Sequence, residues 1–173
     1  MTRVFQVFAA IVLGAFLLAG CNEGIQAPPE VPAGSTPGAT GFSGVITYKN
    51  WPPADSLVDL RLVAFKKFPP GDILTEVLQD SAVVYPPLGS TSNLPFNVDT
   101  THYFAPTPAG ASYRYVVVAQ RFDKNNLLAW RAVGQYDLDT NLAVPSEIQV
   151  PMDDTLLHVD INVDFNHLPP QPF

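Results

Sequence analysis

The chain has 173 residues, enough for one domain of ordinary size, and a formal net charge of −7 with no Lys/Arg stripe, which argues against a nucleic-acid partner. A single cysteine excludes an intramolecular disulfide. Eighteen prolines interrupt the sequence too often for long helices, because proline lacks the N–H that a helix interior needs, so short strands around one core are favoured.

The first twenty residues have the layout of a secretory signal peptide. Arg3 supplies a positive charge, Val7 to Ala19 is an unbroken run of apolar residues and glycine, and small residues precede Cys21. The run is shorter than the ~20 residues that a bilayer-spanning helix needs. We therefore expect residues 1–20 to be a signal peptide; an uncleaved membrane anchor, or an ordinary signal peptide with a chance cysteine, is the alternative.

The segment Leu18 to Cys21 resembles the lipobox of bacterial lipoproteins. The resemblance implies that a diacylglyceryl group is attached to the Cys21 thiol and that cleavage leaves this cysteine at the N-terminus. It also implies an exported protein anchored to the cell envelope by its lipid, and Asn22 favours the outer membrane over the inner one. Residues 21–41 are almost all small, polar or proline, so we expect them to be a tether.

Residues 42–173 read as one β-rich domain. The clearest strand is near the C-terminus, where one face should be core and the other, with its acids, should face water. The inward residues are Leu157, Val159, Ile161, Val163 and Phe165, and they alternate with His158, Asp160, Asn162, Asp164 and Asn166. Similar runs, rich in residues that strands prefer, predict further strands. They are Val45 to Tyr48, Val58 to Phe68, Tyr113 to Phe122, Leu127 to Tyr136 and Val144 to Val150, with Leu94 to Val98 and Thr101 to Ala105 as a weaker hairpin through Asp99 and Thr100.

Two of these strands, around Leu62 to Phe65 and Tyr115 to Ala119, are apolar on both faces and should be covered from both sides. The segment Asp72 to Asp80 predicts one short helix over them, with Asp72 as N-cap and with an apolar stripe. The stripe consists of Ile73, Leu74, Val77 and Leu78. About seven short strands with turns between them predict an all-β fold, an antiparallel Greek-key β-sandwich.

Three segments resemble transthyretin-like, or carboxypeptidase regulatory-like, domains of prealbumin-like fold. They are the opening Ser43 to Tyr48, the strand Leu60 to Phe65, and Phe104 to Gly110 leading into Tyr113 to Ala119. The family pattern has a G-x-V/I-x opening strand and a Pro-Ala-Gly-x-Tyr turn before a core strand. The predicted helix and the long loop from Pro86 to Asn93 depart from it. Such domains are commonly non-catalytic modules of secreted and surface proteins.

Signals for catalysis and cofactors are missing from the sequence. His102, His158 and His167 have no ligand spacing between them, so we expect no metal site there. There is no P-loop, no dinucleotide fingerprint and no nucleophile elbow. We expect a protein that is not an enzyme and that has no cofactor.

Asp137, Asp139 and Asn141 begin like a calcium-binding loop. The glycine and the bidentate glutamate that complete such a loop are missing, so a solvated turn is the preferred interpretation and a looser calcium site stays open.

Aromatic side chains are the best candidates for a ligand surface, because exposed rings suit sugars or a protein partner. Tyr48, Trp51, Tyr103 and Tyr136 fall near predicted strand ends or loops. The sequence thus predicts a membrane-anchored envelope lipoprotein with a binding or scaffold module and a protein or carbohydrate partner. A structural envelope-assembly component, or an accessory domain to a carbohydrate- or peptide-degrading system, is the alternative.

Overall fold

The computed structural model describes residues 39–139 and 141–172. The chain divides between Val31 and Pro32 into two units, and all the described residues belong to the second. The predicted signal peptide, the lipidation site at Cys21 and most of the predicted tether therefore lie outside the described residues. Within residues 39–139 and 141–172, no helix has the length and apolar character needed to cross a bilayer.

The domain is all-β with one short helix, as the sequence predicted. The strands are β1 (Gly41–Lys49), β2 (Asp59–Phe65), β3 (Ala82–Tyr85), β4 (Thr100–Pro106), β5 (Ser112–Tyr113), β6 (Tyr115–Arg121), β7 (Trp130–Gln135), β8 (Ile148–Gln149), β9 (Thr155–Leu156) and β10 (Ile161–Asp164). Helix α1 spans Ile73–Leu78, and a single 3-10 turn spans Ala54–Ser56. The described residues thus contain ten strands where about seven were predicted, and three of the ten are only two residues long.

Most strands belong to one curled sheet with the order β3-β2-β6-β7-β10-β1-β4, in which β9 also pairs with β1. The prediction of a purely antiparallel arrangement is wrong, because β1 runs parallel to both β9 and β10. The physical reason is the position of β10, which lies between β7 and β1 in the sheet. It is antiparallel to β7 but parallel to β1, so the sheet is mixed. Strands β5 and β8 form a separate two-stranded sheet.

A β-bulge interrupts the strand that the sequence predicted near the C-terminus. Gly41 pairs with Thr155, and Ile46 pairs with Ile161. The segment from Thr155 to Ile161 is therefore one residue longer than the part of β1 that lies opposite it. His158, within this stretch, has a positive φ of 63°. The extra residue turns Leu157 out to solvent, whereas the predicted burial of Val159, Ile161, Val163 and Phe165 is confirmed.

The main core lies inside the curl of the sheet, where inward side chains of β1, β2, β4, β6, β7 and β10 meet. A second, smaller cluster lies on the outer face of β2, β6 and β7, and α1 covers it with Ile73 and Val77. The expectation that β2 and β6 are covered on both sides is therefore confirmed. The predicted stripe of α1 is only partly right, since Leu78 is exposed and Glu76 is buried instead.

Several predicted boundaries differ from the structure. The hairpin through Asp99 and Thr100 is not formed, because β4 pairs with β1 and the segment before it is not a strand. The strand predicted from Val144 to Val150 is reduced to β8. Strand β3 was not predicted, and it pairs with β2 at the edge of the sheet.

Candidate functional site

The four aromatic residues proposed for a ligand surface do not form an open platform. Tyr48, Tyr103 and Tyr136 are buried in the main core. Trp51 is half-buried, with its ring centroid 4.8 Å from those of both Tyr48 and Phe165, and its Nε1 donates to the carbonyl oxygen of Val98 at 2.9 Å. These rings contribute to packing, and an exposed stacking surface for sugars is not present at these positions.

The β-bulge forms a depression of about 200 Å³ on the outer face of the sheet. Its walls combine apolar side chains with imidazole and carboxylate groups. The lining residues are Ser43, Gly44, Val45, His102, Tyr103, Leu157, His158 and Asp160. Bulges often lie beside functional sites because they redirect side chains, and here the bulge turns His158 to the surface.

Backbone and side-chain hydrogen bonds hold the bulge against β1. The Asp160 carboxylate oxygen Oδ1 accepts the Val45 N–H at 2.8 Å, and the Val159 N–H donates to the Ser43 carbonyl at 3.0 Å. The buried Tyr103 hydroxyl donates to the Val159 carbonyl at 2.5 Å. Gly44 is needed here, since a Cβ at this position would collide with the Val159 carbonyl group. These contacts hold the walls of the depression in place.

A second depression, of about 270 Å³, adjoins the first and shares Asp160 with it. Its polar lining comes from β7, β10 and the residues next to them in the chain: Gln135, Asp137, Asp139, Asp160, Asn162, Asp164 and His167. Together the two depressions form what we call the polar face, which contains all three histidines of the chain and four aspartates. These residues come from segments distant in the sequence, so the sequence signalled them only separately, as the alternation of Asp160, Asn162 and Asp164 and as the calcium-like start at Asp137 and Asp139.

Asp164 accepts several hydrogen bonds on the polar face. Asn50 Nδ2 donates to its Oδ1 at 2.8 Å, His167 Nδ1 lies 3.0 Å from its Oδ2, and the Asn166 N–H also donates to it. These contacts, with that of Asn50 the largest, lower the pKa of Asp164 from 3.8 to about 2. Asp164 is therefore a carboxylate in all but strongly acidic solution.

The loop that resembled a calcium site uses its oxygens internally. Asp137 Oδ1 accepts the Ser146 hydroxyl at 2.9 Å, and its Oδ2 accepts Gln135 Nε2 at 3.1 Å. Asp139 Oδ1 accepts the Asn141 N–H at 2.6 Å, as in turns that Asp initiates. Among the residues that the structure describes, no three His, Cys, Asp or Glu side chains are grouped so that they could hold a metal ion. This arrangement lends no support to the calcium alternative.

The tyrosines next to the polar face stay protonated. Burial, together with the negative charge of Asp160, raises the pKa of Tyr103 and, to a smaller extent, that of Tyr136. Neither phenol is thus set up to act as a base or nucleophile near neutral pH. What the polar face offers chemically is negative charge from four carboxylates, together with imidazole and amide groups that can donate or accept hydrogen bonds.

Comparison with known proteins finds no matching family model, no matching curated protein and no matching solved structure. The class of this protein is therefore defined by its architecture, an all-β domain built from a curled mixed sheet with one short helix. Its function has to be inferred from the polar face and from the N-terminal sequence.

Proposed function

We propose that this chain is an exported lipoprotein in which lipid on Cys21 anchors a non-catalytic binding or scaffold module to the cell envelope, at the outer membrane. The support for the anchor is the order of Arg3, the apolar run and the segment Leu18 to Cys21. Two acyl chains would hold the protein on its membrane, because each buried methylene contributes ~0.8 kcal/mol. Residues 21–41 would then separate the domain from the lipid surface.

The finer architecture that we propose is a Greek-key sandwich related to transthyretin-like domains. Its support is that the two halves of the sheet, β3-β2-β6-β7 and β10-β1-β4, contribute inward side chains to the same core. The motifs Ser43 to Tyr48 and Phe104 to Gly110 lie in β1 and at the end of β4, which are neighbours in the sheet.

The polar face is the surface that we propose for binding. The single observation that carries this assignment is that Asp160 joins two depressions and so makes one continuous acidic surface across β4, β1, β10 and β7. Carboxylates that face solvent attract cationic groups, so a basic segment of another envelope protein is the partner that fits. A carbohydrate partner is less well supported, because the candidate rings are packed in the core.

The position of the polar face suits a tethered module. The chain enters the domain beside Ala39, whose carbonyl accepts the Thr155 hydroxyl at 2.7 Å, at the start of β1. In the register of the sheet, Asp164 lies opposite Lys49, at the other end of β1. The polar face therefore extends towards the end of β1 that is far from Ala39.

The anchor is tested by metabolic labelling with radioactive palmitate. Label should enter the wild-type protein and should be lost in Cys21→Ser, while Ser43→Ala, a change outside the lipobox, should keep it. Label in Cys21→Ser, or a wild-type protein that is released in soluble form after cleavage elsewhere, would contradict the anchor.

The binding surface is tested by carbodiimide crosslinking on intact cells, which joins carboxylates to nearby lysines. Asn162→Lys places a positive charge in the middle of the polar face, at an exposed position on β10. It should reduce the crosslinked adduct of defined mass that the wild type forms. Asn125→Lys makes the same change at an exposed position outside both depressions; it is the matched control and should leave the adduct unchanged. Equal adducts in all three proteins would refute the assignment.

A further inference from the structure

A second surface lies on the outer side of β2, β6 and β7, next to α1. It consists of two adjoining depressions of about 130 and 220 Å³ that share Leu74 and Trp130, and we call it the apolar furrow. The first is further lined by Asp72, Ile73 and Leu128, and the second by Asp59, Leu88, Gly89, Arg121 and Leu127. None of these residues belongs to the polar face.

The walls of the apolar furrow are held in place by specific contacts. The buried Arg61 guanidinium donates to the carbonyl oxygens of Pro86, Pro87 and Ser90 at 3.0, 3.2 and 3.4 Å, which fixes the loop that carries Leu88. Trp130 Nε1 donates to the Leu127 carbonyl at 2.9 Å. The surface is therefore formed before any partner arrives, which lowers the entropic cost of association.

The apolar furrow leaves large hydrophobic side chains in water. Leu127 and Leu128 expose 67% and 65% of their surface, and both border the same groove as Leu74 and Trp130. Single exposed leucines are ordinary, whereas a contiguous apolar patch with polar residues at its edges marks an interaction site. Aromatic residues such as Trp130, which lines both depressions, are enriched at interface centres.

The two depressions of the apolar furrow are bordered by unpaired charges of opposite sign. Asp72 borders one depression and Arg121 the other, while Asp59 is already paired with Arg61. Within the described ranges, neither Asp72 nor Arg121 forms an ion pair. One depression thus carries a carboxylate and the other a guanidinium, and Leu74 and Trp130 line both.

We infer that the apolar furrow is a homodimer interface, occupied by the same surface of a second copy of this chain. An isologous interface must be complementary to itself, so it needs both charges on one patch, at opposite ends of an apolar centre. A two-fold axis near Leu74 and Trp130 places Asp72 of each copy opposite the partner's Arg121. The leucine and tryptophan side chains of the two copies then cover one another. This arrangement leaves the polar face of each copy free.

The inference is tested with two differently tagged full-length copies produced in one cell, extracted in detergent and captured through one tag. Wild-type copies should capture each other. Arg121→Asp and Asp72→Arg should each weaken self-capture about tenfold, since like charges then face each other across the interface. Production of an Arg121→Asp copy with an Asp72→Arg copy should restore capture, because one charge pair then keeps its native sign and the other is re-formed with both signs reversed.

Controls separate the interface from general effects of charge and folding. Arg114→Asp and Asp153→Arg make the same charge changes at exposed positions outside the apolar furrow and should leave capture unchanged. Rescue in the mixed pair would itself show that both variants fold, which matters because Asp72 caps α1. Failure of wild-type copies to capture each other, or loss of capture in the single variants without rescue in the mixed pair, would overturn the second copy as occupant.

Discussion

The Oδ1 atom of Asp160 accepts the backbone N–H of Val45 at 2.8 Å and so replaces a backbone hydrogen bond that the β-bulge removes from the sheet. From the sequence, Asp160 was expected only to face water. It does so, and it also closes the gap between β1 and β10. The alternating acids of this strand are therefore more than a solubilising face.

The contact between Asp160 and Val45 predicts unequal effects of two substitutions. Asp160→Ala should lower the free energy of unfolding by about 1–2 kcal/mol, because the Val45 N–H loses its acceptor. Asp160→Asn should cost less, since the amide oxygen can still accept. Urea unfolding measures both, with Asn162→Ala as the control on the same strand. Equal losses in Asp160→Ala and Asn162→Ala would show that the bond to Val45 contributes nothing.

The inward face of β10 predicts a large packing effect. Ile161 is 1% exposed, and Ile161→Ala should lower the free energy of unfolding by about 2–5 kcal/mol, because it removes buried methyl groups and leaves a cavity. Asn162→Ala, one residue further along and exposed, should change it by about 0.5 kcal/mol or less. The reverse order in urea unfolding would mean that the register of β10 is shifted by one residue.

The carboxyl group of Asp164 predicts a pH dependence in acid. Its pKa falls from 3.8 to about 2 on folding, so the folded state binds this proton more weakly than the unfolded state does. The stabilisation is present above pH 3.8 and is lost as the pH falls towards 2. Carboxyl NMR titration should show the low midpoint in the wild type and a higher one in Asn50→Ala. Asn162→Ala should leave the midpoint where it is; an unchanged midpoint in Asn50→Ala would contradict the assigned cause.

Glu76 on α1 is a buried carboxylate. Its Oε1 accepts the Gly71 N–H at 2.8 Å and lies 2.8 Å from Lys67 Nζ, and the bond to Lys67 is the main cause of its lowered pKa. Glu76→Ala should lower the free energy of unfolding by about 1–3 kcal/mol, because it leaves the Gly71 N–H without an acceptor.

The control for Glu76 is Leu78→Ala on the same helix, where the leucine is 86% exposed. In thermal unfolding, Glu76→Ala should clearly lower the free energy of unfolding, whereas Leu78→Ala should change it by less than about 0.5 kcal/mol. A larger loss at Leu78 would mean that the apolar stripe read from the sequence, and not the Glu76 contact, holds α1 to the sheet.

The domain should fold without the N-terminal segment. A fragment of residues 39–173 keeps the contacts of Ala39 with Thr155 and of Thr40 with Thr107, which fasten the start of the domain. Its circular dichroism should be dominated by β-structure, and EDTA should leave its melting temperature unchanged. A large drop in melting temperature with EDTA would revive calcium binding at Asp137, Asp139 and Asn141.

Local patterns in the sequence were sufficient for the class of fold and for several elements. The alternation from Val159 to Phe165 predicted which side chains are buried, because each strand residue faces opposite to the next. The doubly apolar runs predicted that β2 and β6 are covered on both faces, and Asp72 predicted the start of α1, since its side chain accepts the Thr75 N–H. These features depend on neighbours within a few residues along the chain.

The tertiary structure alone decided which distant residues meet. The bulge at His158 exists because Val159 and Asp160 bond to Ser43 and Val45, more than a hundred residues earlier, and no local pattern contains that pairing. The same holds for the aromatic rings: Tyr103 is polar enough to be exposed, but its hydroxyl finds the Val159 carbonyl and its ring packs on Phe42. Burial of such a side chain is set by the partners that the sheet order supplies, and those partners are fixed only when the whole domain folds.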